Sequence, residues 1–171
     1  MIKIPLKQIH SCDQYCARTW IPESTNKFRL GPNESYKNGQ CDEYGQIQPA
    51  WVYIAKMNMD NILNIDDVVI TDTKIKIPFD YPLNGTHIFE FESPNGFTRR
   101  NIMTHICQTY ADIYKKEEET SIKEIDSTTG CLNRSETSGV YGIWGHDIGD
   151  LAIERLSYDP QTQTIKMFIG S

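Results

Sequence analysis

Three residues near the carboxy-terminal end of the chain, His146, Asp147 and Asp150, have side chains that could do chemistry. A histidine beside carboxylates can hold a divalent metal ion or act as an acid–base pair, so the cluster suggests a small metal-assisted hydrolase. Metal-dependent phosphohydrolases need further histidines and aspartates on helices, and no such partners are evident here. The glycines within 139–149 favour a simpler interpretation, in which the two aspartates stabilise turns through side chain–backbone hydrogen bonds. We expect that structural role and keep the hydrolase as the alternative.

A second group of potential ligands lies near the amino terminus and consists of His10, Cys12, Cys16 and Cys41. One nitrogen and three sulfur ligands can hold a tetrahedral zinc ion. The spacing lacks the C-x2-C pair that is typical of zinc-binding motifs. Free thiols on a loop are therefore the expectation, with structural zinc as the alternative. No other cofactor is indicated.

Nucleophilic catalysis has little support in the sequence. Cys107 adjoins Ile106 in a helical pattern, which predicts a buried thiol. Neither the nucleophile motif G-x-S-x-G nor the phosphate-binding G-K-[ST] occurs in the chain. We therefore expect a protein that is not an enzyme.

The strongest local pattern predicts a helix over residues 99–118. Thr98 suits the N-cap position, because its hydroxyl can accept a hydrogen bond from a free backbone amide of the first turn. Apolar side chains recur at spacings of three and four and form one stripe: Ile102, Ile106, Tyr110, Ile113 and Tyr114. The acidic residues Glu117–Glu119 oppose the helix dipole, so we expect fraying at this end.

Three segments that precede this helix are predicted to be strands. Residues 51–55 are predicted to form a strand, and residues 68–78 and 86–92 alternate between apolar and polar side chains. The connection between the last two contains proline and Asn-Gly, which is typical of a tight turn. The two segments are therefore predicted to form an antiparallel hairpin.

A second hairpin is predicted near the carboxy terminus, with its turn at DPQTQ. Its first strand changes phase between Ile153 and Leu156, which implies a bulge or a short helical turn. Before it, Ile143 and Trp144 are predicted to close the end of the core. Together these elements predict an α+β fold, in which an antiparallel sheet of about five or six strands packs on one long helix.

Residues 10–49 differ from the rest of the chain, because they show little periodicity and are rich in Gly, Pro, Asn, Ser and Gln. We predict a long loop or extended arm within a single domain that spans 1–171. A loop of this length inside a compact domain is uncommon and is usually functional, disordered or bound to a neighbour. Four aromatic residues could anchor a protein partner: Tyr15, Trp20, Phe28 and Tyr36.

Composition argues against two classes of partner. The net charge is −6, and no run of Lys and Arg is longer than Arg99-Arg100, so the basic stripe of a nucleic-acid-binding protein is missing. No window approaches the ~18 apolar residues of a membrane span. The amino-terminal MIKIPLKQIH lacks the apolar segment of a signal peptide. We therefore expect no nucleic-acid partner, no membrane partner and no secretion.

Two segments resemble uncharacterised proteins of the nucleocytoplasmic large DNA viruses, also called giant viruses. These are FTRRNIMTHICQTYADIYKKEEE and, more distinctively, NRSETSGVYGIWGHDIGDLAIERLSYD. The resemblance covers the carboxy-terminal half, residues 86–171, and an Asn-, Ile- and Lys-rich composition suits an AT-rich viral genome. It implies a viral source and carries no catalytic residue over to this chain.

These observations lead to one expected function and two alternatives. We expect a non-enzymatic viral protein that acts through protein–protein contacts, such as a minor virion or assembly component. Its expected location is the host cytoplasm, and the virion if it is a structural protein. The alternatives are the small metal-assisted hydrolase at His146, Asp147 and Asp150, and a protein that binds a host factor.

Overall fold

The computed structural model of the protein describes residues 51–59, 62, 64–122 and 134–171. In chain order its elements are β1 (Val52–Tyr53), β2 (Val68–Ile70), β3 (Lys74–Phe79), β4 (His87–Glu92), β5 (Phe97–Thr98), α1 (Arg99–Thr120), β6 (Ala152–Asp159) and β7 (Thr164–Gly170). Five strands form the main sheet in the order β1-β6-β7-β3-β4, and β2 pairs with β5 in a separate two-stranded sheet. The predicted α+β class is confirmed.

The main sheet is mixed, although a purely antiparallel sheet was predicted. The two predicted hairpins, β3–β4 and β6–β7, are both antiparallel. They join through β3 and β7, which run parallel, and the Lys76 amide donates a hydrogen bond to the Gln163 carbonyl at 2.8 Å. Alternation along a strand indicates which residues share a face, but it does not indicate which strands of two separate hairpins will pair. The prediction is therefore wrong at this one contact.

The predicted strand at 68–78 is two strands, β2 and β3, which belong to different sheets. Ile70 and Ile75 are 2% and 1% exposed. Residues five positions apart lie on opposite faces of a continuous strand, so one strand could not bury both against the same core. The break between them resolves this conflict, and Asp72 at the break accepts a hydrogen bond from the Tyr158 hydroxyl. The predicted strand at 51–55 is likewise shorter, because a turn begins at Ile54.

The phase change in the closing hairpin is a β-bulge, which is one of the two alternatives predicted for it. The pairing of β6 with β7 shifts register between Ile153 and Arg155. One extra residue in a strand turns the following side chains to the other face. As a result Ile153 and Leu156 are both buried, at 2% and 0% exposed.

Helix α1 packs against the inner face of the main sheet, and the hydrophobic core lies between them. Thr98 caps the helix by accepting a hydrogen bond from the Asn101 amide at 3.1 Å, which confirms the predicted start. The Tyr110 ring lies edge-on to Phe79 of β3, with ring centroids 4.9 Å apart, and Phe79 meets Phe89 of β4 at 5.2 Å. The five residues of the predicted apolar stripe are all buried.

Candidate functional site

Four side chains lie together near the ends of β3 and β7: Tyr81, Trp144, His146 and Ser171. The Trp144 ring stands perpendicular to the Tyr81 ring, with centroids 5.2 Å apart, and the His146 ring lies 5.9 Å from Tyr81. The Ser171 hydroxyl is 2.7 Å from the Tyr81 hydroxyl and 3.2 Å from His146 Nε2. These contacts join the four side chains into one surface feature, which we call the aromatic surface.

Trp144 keeps much of its side chain in contact with solvent. It is 36% exposed, whereas Ile143 beside it is 0% exposed. The prediction that both residues close the end of the core is therefore confirmed for Ile143 and wrong for Trp144. Neighbouring side chains of an extended segment point to opposite sides, so burial of the isoleucine turns the indole outward.

Two tyrosines of α1 hold the backbone beneath the aromatic surface. The Tyr110 hydroxyl donates to the Tyr81 carbonyl at 2.7 Å, and the Tyr114 hydroxyl donates to the His146 carbonyl at 2.8 Å. Burial raises the pKa of both phenols, so both hydroxyls stay protonated donors at neutral pH. The hydroxyl groups of these two buried tyrosines therefore help to position the aromatic surface.

Glu117, one helical turn beyond Tyr114, anchors the segment that leads to Trp144. Its carboxylate accepts hydrogen bonds from the Thr137 hydroxyl, from the Gly139 amide at 2.8 Å and from the Tyr141 amide at 2.7 Å. The side chain is 0% exposed. A Cβ atom on residue 139 would lie 2.6 Å from the carboxyl carbon of Glu117, so only glycine allows this approach. The predicted fraying of the helix end is wrong, because these bonds hold Glu117 and the helix continues to Thr120.

The Glu117 carboxylate is ionised because its donors outweigh its burial. Burial alone raises the pKa of a carboxyl group. The hydrogen bonds from Thr137 and from the backbone amides of Tyr141, Gly139 and Gly142 favour the charged form, and the net pKa lies below the usual value of 4.5. A charged acceptor makes each of these bonds stronger than a neutral one would.

The three residues of the hydrolase alternative have separate partners. His146 belongs to the aromatic surface, and Asp147 Oδ1 accepts a hydrogen bond from Arg134 Nη1 at 3.0 Å. Asp150 Oδ2 accepts from the Asp147 amide at 3.2 Å, which confirms the predicted turn role for Asp150. Within the described ranges no group of three His, Cys, Asp or Glu side chains could hold a metal ion. The geometry thus lends the hydrolase no support.

Arg134, which sequence patterns did not single out, is buried beside this turn. Its side chain is 3% exposed, and the guanidinium lies 5.2 Å from the centre of the Tyr114 ring. Nε and Nη2 are buried and make no hydrogen bond to any residue that the structure describes. Asp147, whose side chain is 51% exposed, is its ion-pair partner. Arg134 lies in a polar stretch without periodicity, so no local signal marks it as buried.

Cys107 provides a direct test of the interior of α1. The thiol is 2% exposed, as predicted, and burial raises its pKa to about 11. Since the thiolate is the reactive form, we expect Cys107 in the native protein to react with iodoacetamide at least about a hundredfold more slowly than in the unfolded chain. Peptide mapping after timed alkylation measures this residue separately from the other cysteines. Equal rates in buffer and in denaturant would contradict the buried placement.

Several predicted site residues lie outside the described residues and stay predictions. They are the zinc alternative at His10, Cys12, Cys16 and Cys41, and the binding residues Tyr15, Trp20, Phe28 and Tyr36 within 10–49. In the part of the chain that the structure describes, no helix combines the length and the apolar character needed to cross a membrane.

Comparisons with protein-family models, with curated protein sequences and with solved structures found no match.

Proposed function

We propose that this protein acts by binding other proteins and that the aromatic surface is one of its contact sites. The observation that carries the proposal is the exposed indole of Trp144, held edge-on against Tyr81 by a backbone that helix α1 fixes. Tryptophan and tyrosine are the residue types that dominate the binding free energy of protein interfaces. A side chain that is already held in place loses little conformational entropy on binding, so more of its contact energy appears as affinity.

The polar groups beside Trp144 support binding more than catalysis. Asp147 is engaged by Arg134, and Asp150 stabilises the turn that follows His146. His146 Nε2 and the Ser171 hydroxyl are hydrogen-bonded to each other at the edge of the aromatic surface. Apolar rings with polar groups at their edge are the usual composition of an interface. No observation favours the metal-assisted hydrolase, so we do not propose it.

We further propose that residues 10–49 form a second contact region, through Tyr15, Trp20, Phe28 and Tyr36. The support is compositional, because these aromatic residues lie in a long segment without the periodicity of a core element. A role as a minor virion or assembly component in the host cytoplasm rests on the resemblance of residues 86–171 to proteins of large DNA viruses. Binding of a host factor is the alternative, and the distribution of the protein between purified particles and cytoplasm distinguishes the two.

The contact role of Trp144 is tested by the Trp144→Ala variant. We expect it to weaken the binding of a captured protein partner by about 2 kcal/mol, the level that defines a hot spot, which is about a thirtyfold rise in Kd. Phe168→Ala is the matched control. Phe168 is 39% exposed on the outer face of the sheet, and the centre of its ring lies 3.6 Å from the guanidinium carbon of Arg155. Titration of the purified partner by calorimetry gives the Kd of each variant.

Full-length protein in which Tyr15, Trp20, Phe28 and Tyr36 are all changed to alanine tests the second contact region. We expect the same partner to be lost or weakened while thermal unfolding of the remainder is unchanged. A partner that binds both this variant and Trp144→Ala with wild-type affinity would contradict the proposed function.

A further inference from the structure

Two Asn-Gly pairs occur in turns that the structure describes, and their surroundings differ. Asn84-Gly85 lies in the turn between β3 and β4, and Asn95-Gly96 lies in the turn between β4 and β5. In such a pair the backbone nitrogen of glycine can attack the side-chain carbonyl carbon of asparagine, because glycine has no side chain to obstruct the approach. The reaction needs that nitrogen to be unbound and free to move toward the carbonyl carbon.

The Gly96 nitrogen is held. It donates a hydrogen bond to the Ser93 carbonyl at 3.2 Å, and the Ser93 hydroxyl donates in turn to the Gly96 carbonyl at 2.5 Å. Gly96 is buried, and the Ile70 carbonyl oxygen lies 2.4 Å from where a Cβ atom on residue 96 would be. Attack by this nitrogen would require the hydrogen bond to break and the turn to leave its packed position.

The surroundings of Gly85 are open. Asn84 and Gly85 are both exposed, and apart from Gly85 and its two chain neighbours no described atom lies within 4 Å of the position that a Cβ atom on residue 85 would occupy. Among the described residues no hydrogen-bond partner is found for the Gly85 nitrogen. The Asn84 backbone is fixed through its amide, which donates to the Tyr141 carbonyl at 2.9 Å. Its carboxamide donates to Glu136 Oε1 at 2.9 Å, and because that hydrogen bond is exposed, water can replace Glu136 as the acceptor when the side chain rotates.

We propose that Asn84 is a site of spontaneous deamidation and that Asn95 is protected from it by the fold. The Gly85 nitrogen gives up its proton and forms a bond to Cγ of Asn84, the Cγ–Nδ2 bond breaks, and the NH2 group takes up a proton and leaves as ammonia, which gives a cyclic succinimide. Water then adds to either carbonyl of the ring and opens it. The products carry aspartate at position 84 or its isomer, in which the backbone runs through the former side chain.

The modification changes a contact between the β3–β4 turn and the segment that carries Trp144. Asn84 Nδ2 donates to Glu136 Oε1 at 2.9 Å. After deamidation two carboxylates face each other at this place, and like charges at hydrogen-bond distance repel. The side chain of residue 84 also packs against Gly142, whose Cβ position lies 2.5 Å from Asn84 Nδ2. Deamidation therefore loosens the 134–145 segment, a consequence that does not depend on the proposed function.

The test compares the two pairs within one protein. Purified full-length protein is held at neutral pH and physiological temperature, and the asparagine, aspartate and isoaspartate forms of each peptide are quantified over time by mass spectrometry. We expect Asn84 to convert at least about tenfold faster than Asn95, the factor that one retained backbone hydrogen bond of about 1.4 kcal/mol supplies. Conversion of Asn95 as fast as Asn84, or no conversion of Asn84, would overturn the proposal.

The unfolded chain is the control for the role of structure. In concentrated guanidinium chloride both glycine nitrogens are exposed, so the two conversion rates should become equal. A rate difference that persists in denaturant would show that local sequence causes it, and would overturn protection by the fold. Asn84→Gln supplies a second control, because glutamine forms the larger ring slowly and the mass change at this peptide should disappear.

Discussion

Replacement of Glu117 by glutamine is expected to lower the free energy of unfolding by about 3 kcal/mol at neutral pH. The carboxylate offers two acceptor oxygens to the Thr137 hydroxyl and to the amides of Gly139 and Tyr141. Glutamine has the same shape but turns one oxygen into an NH2 group, which places donor against donor. The variant therefore loses the bonds to that oxygen and leaves buried amides without an acceptor.

Glu118→Gln is the matched control for this substitution. Glu118 is the next residue of the same helix, it is exposed, and its loss changes the net charge by the same amount. Urea denaturation of the three proteins, followed by circular dichroism, gives their free energies of unfolding. We expect Glu118→Gln to stay within about 0.5 kcal/mol of wild type, as surface substitutions usually do. Equal losses in both variants would contradict the anchoring role of Glu117.

The same comparison at lower pH tests the ionisation of Glu117. A carboxyl whose pKa is lowered in the folded state stabilises the fold above its unfolded-state pKa, and loses that contribution as the pH falls through the folded-state pKa. The ordinary value is 4.5, and the folded value lies below it. The advantage of wild type over Glu117→Gln should thus be constant above about pH 5 and shrink on further acidification. An advantage that acidification leaves unchanged would show that the charge is not its source.

Periodicity predicted the elements that bury one continuous apolar face. The helix start at Thr98, both hairpins and the bulge after Ile153 follow from local spacing, because a core-facing side chain recurs at the period of its own element. The same reasoning fails where two elements meet. The parallel contact of β3 with β7 depends on how separate hairpins pack, and no residue in either strand encodes that neighbour.

The candidate site was less predictable than the fold, because its key contacts join residues far apart in the chain. In the sequence, Glu117 is one of three acidic residues that oppose the helix dipole. Its burial is explained only by the hydrogen bonds that residues 137–141 donate to its carboxylate. The spacing of His146 and its acidic neighbours suggested one shared site, but in the structure these residues have different partners. The sequence signal at Gly139 is the residue type itself, since glycine allows a backbone to approach a buried group closely.

The ion pair between Arg134 and Asp147 is expected to respond asymmetrically to substitution. Asp147→Asn leaves the Arg134 guanidinium, 3% exposed, without its compensating charge. We expect a loss of about 2 kcal/mol in the free energy of unfolding, less than for a fully buried pair because the Asp147 side chain is half exposed. Arg134→Met removes the buried charge together with two nitrogens that lack partners among the described residues. It leaves an aspartate that water can solvate, so we expect a loss of about 1 kcal/mol or less.

The double variant separates this explanation from simple loss of a contact. If Asp147 stabilises the fold chiefly by compensating Arg134, Asp147→Asn should cost almost nothing once Arg134 is methionine, and the double variant should be more stable than Asp147→Asn alone. Urea denaturation of the four proteins gives the coupling energy directly. Additive losses would mean that the two residues act independently and that the buried guanidinium needs no counter-charge. If the double variant instead regains the stability that Asp147→Asn loses, the fold needs Asp147 because Arg134 is a buried cation. That cation lies against the Tyr114 ring, beside the aromatic surface.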